Sequence, residues 1–157
     1  MDLASASVER RAPRRLWRLP SWLMSNAALS AHRLVSDGLA AERYRKPHFT
    51  VLVALDELGT ASQAALGRRL AIDRSDMVAL INELERDGLV ARDRDEQDRR
   101  RKLVRLTPAG TRMLERLDAR VEQAQDVLLA PLSAAERREL QRLLTLLVEH
   151  HAGGTAP

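Results

Sequence analysis

The chain has 157 residues, no cysteine, 3% aromatic residues and a formal net charge of +4 at pH 7. This length suits one domain with its own core, and the lack of cysteine excludes a disulfide framework, a thiolate metal site and thiol redox sensing. No stretch approaches the roughly 20 apolar residues that span a bilayer, and the apolar run after Pro20 is interrupted too soon for a signal peptide. We therefore expect a cytoplasmic protein without a membrane partner, in which aliphatic residues favour helical packing.

The first 20 residues carry five arginines and two prolines. They predict a basic, flexible arm or a partly ordered lead-in over residues 1–20, which is either a disordered tail or an additional contact to phosphates. After this arm, Ser21 can cap a helix that runs to about Glu42. Residues 21–46 comprise this helix and a linker.

The next stretch contains three helical patterns. The first has Pro47 in its opening turn and Gly59 at its end, and the two residues after it can add a short strand. Ser62 can cap the second pattern and Asp73 the third, which stops at Gly88, the position of a C′ glycine. The third pattern has an apolar stripe formed by Met77, Leu80, Ile81 and Leu84. Its other face, rich in short side chains, is therefore left for solvent or for a partner.

Residues 89–92 and 102–106 are two short runs of alternating character, and a highly charged connection lies between them. This pattern predicts a β-hairpin. We expect Leu103 and Leu106 to face the core, and the charged residues beside them to face solvent or a polyanion. Between Ala91 and Arg105 there are seven cations and four anions. Two interpretations stay open: a solvated, self-neutralising loop, and a basic wing that contacts phosphates.

In this order, the last two helical patterns and the basic hairpin indicate a winged helix-turn-helix, whose second helix enters the major groove of DNA. The candidates for base contacts on this helix are Arg74, Ser75, Asp76, Val78, Ala79 and Asn82. Asn82 can read adenine and Asp76 can accept from a cytosine amine, although a carboxylate in the first turn also simply suits the helix dipole. The candidates on the wing are Arg92, Arg94, Asp98, Arg99, Arg100, Arg101 and Lys102.

Two long helices follow the hairpin. Thr107 and Pro108 form a cap and first-turn pair for a helix that ends before Pro131, and Ser133 with Glu136 forms a capping box for the last helix. The last helix has more leucines than one narrow stripe needs. We therefore expect the first and the last two helices to build an intertwined homodimer.

The predicted fold is mainly α with a small antiparallel β-hairpin wing (α+β), a winged helix-turn-helix with long terminal dimerisation helices. Four parts are expected along the chain: the arm (1–20), the N-terminal dimerisation helix and linker (21–46), the DNA-binding lobe (47–107), and the C-terminal dimerisation helices with a frayed tail (108–157).

Residues 88–110 combine a G-L-V-x-R strand, an acidic loop that ends in D-x-R, and a closing strand that runs into L-T-x-x-G. The residues of these elements are Gly88, Leu89, Val90, Arg92, Asp98, Arg100, Leu106, Thr107 and Gly110. The combined pattern resembles the wing of the MarR transcription regulators, and the resemblance extends over residues 47–150. It implies a two-fold dimer on palindromic double-stranded DNA, with Arg100 as a minor-groove arginine and Asp98 as the acid that braces the wing.

The resemblance also implies a repressor that releases its operator when a small ligand, often an aromatic acid or a phenol, binds between the dimer helices and the DNA-binding lobe. The candidate lining residues are Trp22, His32, Arg33, Tyr44, His48 and Phe49, for each of which core packing or exposure is the alternative. We expect no enzyme, cofactor or metal site, because no nucleophile with its base, carboxylate pair in a cleft or phosphate-binding glycine loop is evident. The alternative function is a helical dimer that acts as an interaction protein without specific DNA binding.

Overall fold

A computed structural model of the chain describes residues 12–94 and 102–152. In this part a short 3-10 helix, Leu16–Arg18, precedes the α-helices and strands. In chain order these are α1 (Pro20–Ala40), α2 (Lys46–Leu58), β1 (Ala61–Ser62), α3 (Gln63–Leu70), α4 (Arg74–Arg86), β2 (Val90–Arg94), β3 (Lys102–Leu106), α5 (Pro108–Leu128) and α6 (Ala134–Ala152). The protein is mainly helical with a small antiparallel sheet, as the sequence predicts.

Most helices begin where their capping residues predict. The side chains of Ser62, Asp73 and Thr107 each accept a backbone N–H of the first turn, at 3.2, 2.8 and 3.0 Å. At α6 the Glu136 carboxylate accepts the Ser133 backbone N–H at 2.8 Å, which is one half of the predicted capping box. These bonds satisfy donors that a helix leaves unpaired at its start.

The start of α1 differs from the prediction. Ser21 is not the N-cap, because α1 begins at Pro20 and Leu19 occupies the cap position without a side-chain bond. The fixed φ angle of proline suits the first helical position, and its missing N–H costs nothing there. Just before α1, the Trp17 ring packs on Trp22 with the ring centroids 5.2 Å apart. The end of the segment predicted as a flexible arm thus includes a helical turn in contact with α1.

The three strands form one antiparallel sheet in the order β1-β3-β2. The prediction that Leu103 and Leu106 share the core face of β3 is wrong, because residues three apart on a strand point to opposite sides. Val104 is the fully buried residue, and Leu106 lies on its side of the strand. Leu103 lies on the other side, together with Arg105.

The core lies between α2, α3, α4, α5 and the sheet, and the end of α1 contributes Leu39. Its most deeply buried side chains are Leu39, Val51, Leu52, Leu55, Leu66, Met77, Ile81, Leu84, Val90, Val104 and Leu117. The predicted apolar stripe of α4 is confirmed, since all four of its residues are buried. Among the residues described, no helix is long and apolar enough to cross a membrane.

The two terminal helices leave apolar side chains uncovered. Leu39 is the one buried residue among those described in α1. The described residues of α6 include no buried one, and Leu143, Leu144, Leu146 and Leu147 are 45, 41, 52 and 44% exposed. The core of one chain therefore does not use these leucines.

Candidate nucleic-acid interface

The two faces of α4 differ sharply in exposure. One face is buried and anchors the helix on the core, through Met77, Leu80, Ile81 and Leu84, each at most 5% exposed. The other face carries all six residues proposed for base contacts, and all are exposed: Arg74, Ser75, Asp76, Val78, Ala79 and Asn82. A helix held on one side and uncovered on the other can enter a major groove. Which bases this face contacts stays a prediction.

The first turn of α4 carries two carboxylates. Asp73 accepts hydrogen bonds from the Ser75 backbone N–H at 2.8 Å and from the Ser75 hydroxyl at 2.5 Å. The hydroxyl bond is the largest cause that holds the pKa of Asp73 below its usual value of 3.8. Asp76 is exposed in the same turn. A carboxylate can accept a hydrogen bond from a cytosine amine, and whether Asp76 does so stays a prediction.

An open groove of about 960 Å³ lies beside α3 and α4 and reaches β3. Three cations from these three elements line it: Arg68, Arg74 and Lys102. In residues 12–94 and 102–152 none of the three forms an ion pair. Gln63 also lines the groove, and its side-chain nitrogen is buried without a hydrogen-bond partner in the same ranges. Positive charge and N–H donors are the groups that bind a DNA backbone phosphate.

Arg92 lies against α4 and not on the outer surface of the hairpin. It follows the buried Val90 by two residues, so the two side chains lie on the same side of β2. Its guanidinium donates to the Glu85 carboxylate and, at 2.6 Å, to Oδ1 of Asn82. Only 15% of the Arg92 side chain is exposed. The sequence prediction does not include this contact, although the spacing of two residues from the buried Val90 to Arg92 is a signal for it.

Two further wing candidates lie at the ends of the hairpin strands, where Arg94 is the last residue of β2 and Lys102 the first of β3. Arg94 pairs with Lys102 in the sheet register, and Lys102 is exposed. On the side of the hairpin away from α4, Arg105 donates to Asp93 at 2.5 Å. The remaining candidates lie outside the described residues: Asp98, Arg99, Arg100 and Arg101.

The corner between α1 and α2 is tied to the C-terminal half of α4. His48 is 3% exposed, and its Nε2 lies 2.8 Å from Oε2 of Glu83. Arg45 donates to the same oxygen at 3.2 Å, and the Tyr44 hydroxyl donates to Asp87 at 3.1 Å. The bond with His48 is the main reason why the pKa of Glu83 lies below its usual 4.5, whereas burial raises the pKa of Tyr44 above 10.0. These contacts fix the orientation of α4 from the side opposite the hairpin.

The same corner is tied to α5. The Glu42 side chain is 7% exposed and accepts hydrogen bonds from Arg120, at 2.9 and 3.0 Å, and from Arg116. The bond from Arg120 is the main reason why the pKa of Glu42 lies below its usual 4.5. A shift of α5 relative to α4 must therefore break these contacts or move the corner with it.

The residues proposed for a ligand pocket are spread along α1 and the start of α2: Trp22, His32, Arg33, Tyr44, His48 and Phe49. Trp22 lies about 15 Å along α1 from His32, at the usual rise per residue. His32 and Arg33 are exposed, Phe49 is half-buried against the core, and His48 is buried. A pocket of about 400 Å³ at the corner is lined by Tyr44 but by none of the other five. The structure does not join the six in one cavity, and their binding role stays a prediction.

The comparison with known proteins agrees with this architecture. Residues 45–101 match the model of the MarR family. The chain also aligns with the PcaV transcriptional regulator of Streptomyces coelicolor, whose structure contains its natural ligand, at 32% identity and a TM-score of 0.70. This alignment covers 92% of the chain and 99% of the PcaV structure. The chain belongs to the MarR family.

Two curated relatives are similar over shorter stretches. A protein of Thauera aromatica, named as a transcriptional regulatory protein for the hcr operon, is 41% identical over 86 residues, which are 55% of this chain and 52% of that protein. The HTH-type transcriptional repressor NicR of Pseudomonas putida is 30% identical over 101 residues, which are 64% of each protein. The chain thus spans about half the length of the first relative and 64% of the second.

Proposed function

We propose that the chain is a dimeric, sequence-specific DNA-binding transcription regulator that represses from a palindromic operator. The observation that carries this proposal is the exposed face of α4, beside a groove lined by Arg68, Arg74 and Lys102. Short side chains let a helix approach base edges, and cations that are not already paired attract backbone phosphates. Repression is suggested by the relative NicR, which is named a repressor.

The proposed dimer rests on the uncovered leucines of α6. Four neighbouring leucines at 41–52% exposure form an apolar patch on one helix, and such a patch commonly marks a protein–protein contact. A second copy of the chain can cover them, together with the exposed apolar residues of α1. A two-fold dimer would present two copies of α4 to half-sites about 34–36 Å apart, which requires a palindromic operator.

The proposed wing contacts supply affinity and part of the specificity. Arg94, Arg99, Arg101 and Lys102 are proposed as phosphate contacts, and Arg100 as the arginine in the minor groove. Phosphate contacts make binding salt-dependent and independent of sequence. Loss of the minor-groove contact in Arg100→Ala should weaken operator binding by roughly 1–3 kcal/mol.

The proposed regulator responds to a small aromatic or anionic ligand. The support comes from PcaV, whose structure was solved with its natural ligand. The corner around residues 42–48 is a suitable place for such a signal, because its contacts join α5 to α4. Suppose that a ligand binds more tightly to one arrangement of the dimer helices and the corner than to another. It then shifts the protein towards that arrangement and changes the fraction of molecules that can bind DNA.

The test is fluorescence anisotropy of the full chain, titrated with salt, on a duplex selected by the protein from a random pool and on a scrambled duplex. We expect tight binding to the selected duplex that falls with salt and a clear preference over the scrambled one. Light scattering should report a dimer. Equal binding to both duplexes would contradict a sequence-specific regulator, and a dimer that binds neither at any salt concentration would support the interaction protein.

A further inference from the structure

Asn82 is the last along the chain of the six exposed α4 residues proposed for base contacts, and its role as inferred below rests on the proposed function. Oδ1 of Asn82 accepts a hydrogen bond from the Arg92 guanidinium at 2.6 Å. The same guanidinium donates to Glu85, one turn further along α4. The side-chain carbonyl of Asn82 is therefore directed towards the hairpin, and its NH₂ group is left for other partners.

Arg92 is poorly placed for a phosphate contact. Its side chain is 15% exposed, whereas the Glu85 side chain that it contacts is 40% exposed. The positive charge of Arg92 is balanced by the carboxylate, and a phosphate would have to displace that partner. Replacement of one ionic partner by another releases fewer counterions than the neutralisation of a phosphate by an unpaired cation. Arg92 should therefore contribute little to the salt dependence of binding.

The orientation of Asn82 determines which base edge it can recognise. Bidentate recognition of adenine needs Oδ1 to accept from the adenine amine while NH₂ donates to N7. The bond from Arg92 orients the side-chain amide with Oδ1 towards the hairpin and leaves NH₂ as the group for a base edge. Guanine offers this donor two neighbouring acceptors, O6 and N7. The nearby guanidinium also favours this electronegative edge over an adenine amine.

We infer that Arg92 is a positioning residue that sets the base preference of α4: it holds Asn82 so that this side chain selects guanine over adenine. The sequence alone suggests the opposite preference, because asparagine in a recognition helix commonly pairs with adenine. In this protein the preference for guanine over adenine depends on both Arg92 and Asn82.

The experiment compares duplex pools selected by the unmodified full-length chain and by its variants. Asn82→Ala identifies the base position that Asn82 reads, because the preference at that position should fall by about fivefold, as for one lost base contact. Arg92→Met frees Oδ1 and should shift the same position from guanine to adenine. Asn82→Asp keeps a partner for Arg92 but has no donor, and should lose the guanine preference with the fold intact.

Two matched controls distinguish an effect on base preference from an effect of lost positive charge. Arg105→Met also removes a strand arginine paired with a carboxylate, but on the side away from α4, and should leave every base preference unchanged. Lys102→Met removes an exposed cation of the groove and should lower the slope of log affinity against log salt by about 0.9. Arg92→Met should leave that slope unchanged. Circular dichroism and urea unfolding confirm the fold of each variant.

The outcomes distinguish this inference from the proposed function. A uniform loss of affinity in Arg92→Met, with a lower salt slope and unchanged base preference, would identify Arg92 as a phosphate contact and overturn the inference alone. An Asn82→Ala variant that keeps every base preference would also overturn it. If the unmodified chain selects no sequence, the proposed function fails and the inference fails with it. If Arg92→Met does not fold, Asn82→Asp decides, because retention of the guanine preference contradicts the inference.

Discussion

Nε2 of His48 lies 2.8 Å from Oε2 of Glu83 and joins the buried start of α2 to α4, the helix proposed to enter DNA. Nδ1 of His48 accepts the backbone N–H of Arg45 at 3.2 Å. Because Nδ1 accepts, the proton of a neutral ring resides on Nε2, which then donates to Glu83. One side chain thus caps α2 and fixes the distance from α2 to α4.

Substitution of His48 should destabilise the protein. His48→Ala removes both bonds from a site that is 3% exposed, and we expect the free energy of unfolding to fall by roughly 1–3 kcal/mol. His32 on α1 is the matched control, because its only hydrogen bond among the described residues is an exposed one, with Nδ1 lying 3.0 Å from Nζ of Lys46. His32→Ala should change the free energy of unfolding by less than about 0.5 kcal/mol. Urea unfolding measures both. Equal effects of the two substitutions would show that the contact with Glu83 adds nothing to stability.

Acid should destabilise the fold through the carboxyl of Glu83. Its pKa lies below 4.5 because His48 and Arg45 stabilise the ionised form. A group whose pKa is lower in the folded than in the unfolded protein stabilises the fold at pH values above the unfolded-state pKa. This stabilisation is lost as the pH falls through the folded-state pKa. The free energy of unfolding should therefore decrease as the pH drops below about 4.5, and Glu83→Gln should reduce this decrease. Unfolding titrations from pH 7 to pH 3 that show the same slope for both proteins would contradict the prediction.

The N-terminus of α5 tolerates no side chain at Gly110. The Thr107 backbone N–H and hydroxyl bind the Leu89 and Gly88 carbonyl oxygens at 3.0 and 2.7 Å, which brings α5 against the start of the hairpin. A Cβ on Gly110 would lie 2.0 Å from the carbonyl oxygen of Leu89. Gly110→Ala must displace backbone and should cost roughly 3 kcal/mol or more.

The helical Gly38 provides the control for this substitution. A Cβ there would lie 3.2 Å from the carbonyl oxygen of Arg120, a smaller conflict. The gain in helix propensity, about 1 kcal/mol, offsets part of its cost. Thermal unfolding should show a much larger loss for Gly110→Ala than for Gly38→Ala, and the reverse order would refute the close approach at Gly110.

The leucines of α6 should control oligomeric state. Leu143 and Leu147 are 45 and 44% exposed in the single chain. If a second copy covers them, the double substitution Leu143→Glu and Leu147→Glu should weaken the dimer at least about 100-fold, given roughly 1.5–3 kcal/mol for each buried leucine. Thr145→Glu, on the opposite face of α6, is the matched control and should leave the dimer intact. Light scattering of a double variant that is still dimeric would place the interface elsewhere.

Much of the fold could be predicted from the sequence because the signals are local. Ser62, Asp73 and Thr107 each satisfy a backbone donor two or three residues away, so the helix starts follow from residue type and spacing. The buried stripe of α4 follows in the same way from the helical period. The prediction for Leu103 is wrong because its spacing of three from Leu106 suits one face of a helix, whereas a strand repeats every two residues. The predicted start of α1 is wrong because proline, not the residue after a serine cap, takes the first helical position.

The tertiary structure decided which partner each functional side chain has. Sequence reasoning assigned Arg92 to the wing surface and His48 to a ligand pocket, whereas Arg92 contacts Asn82, ten residues earlier, and His48 contacts Glu83, 35 residues later. Such contacts depend on how helices and sheet pack, and no local propensity encodes them. Residue type and spacing alone set the helices and strands, their order and most of their apolar faces. Packing determined which apolar faces remain uncovered in the single chain, and which way Arg92 and His48 point.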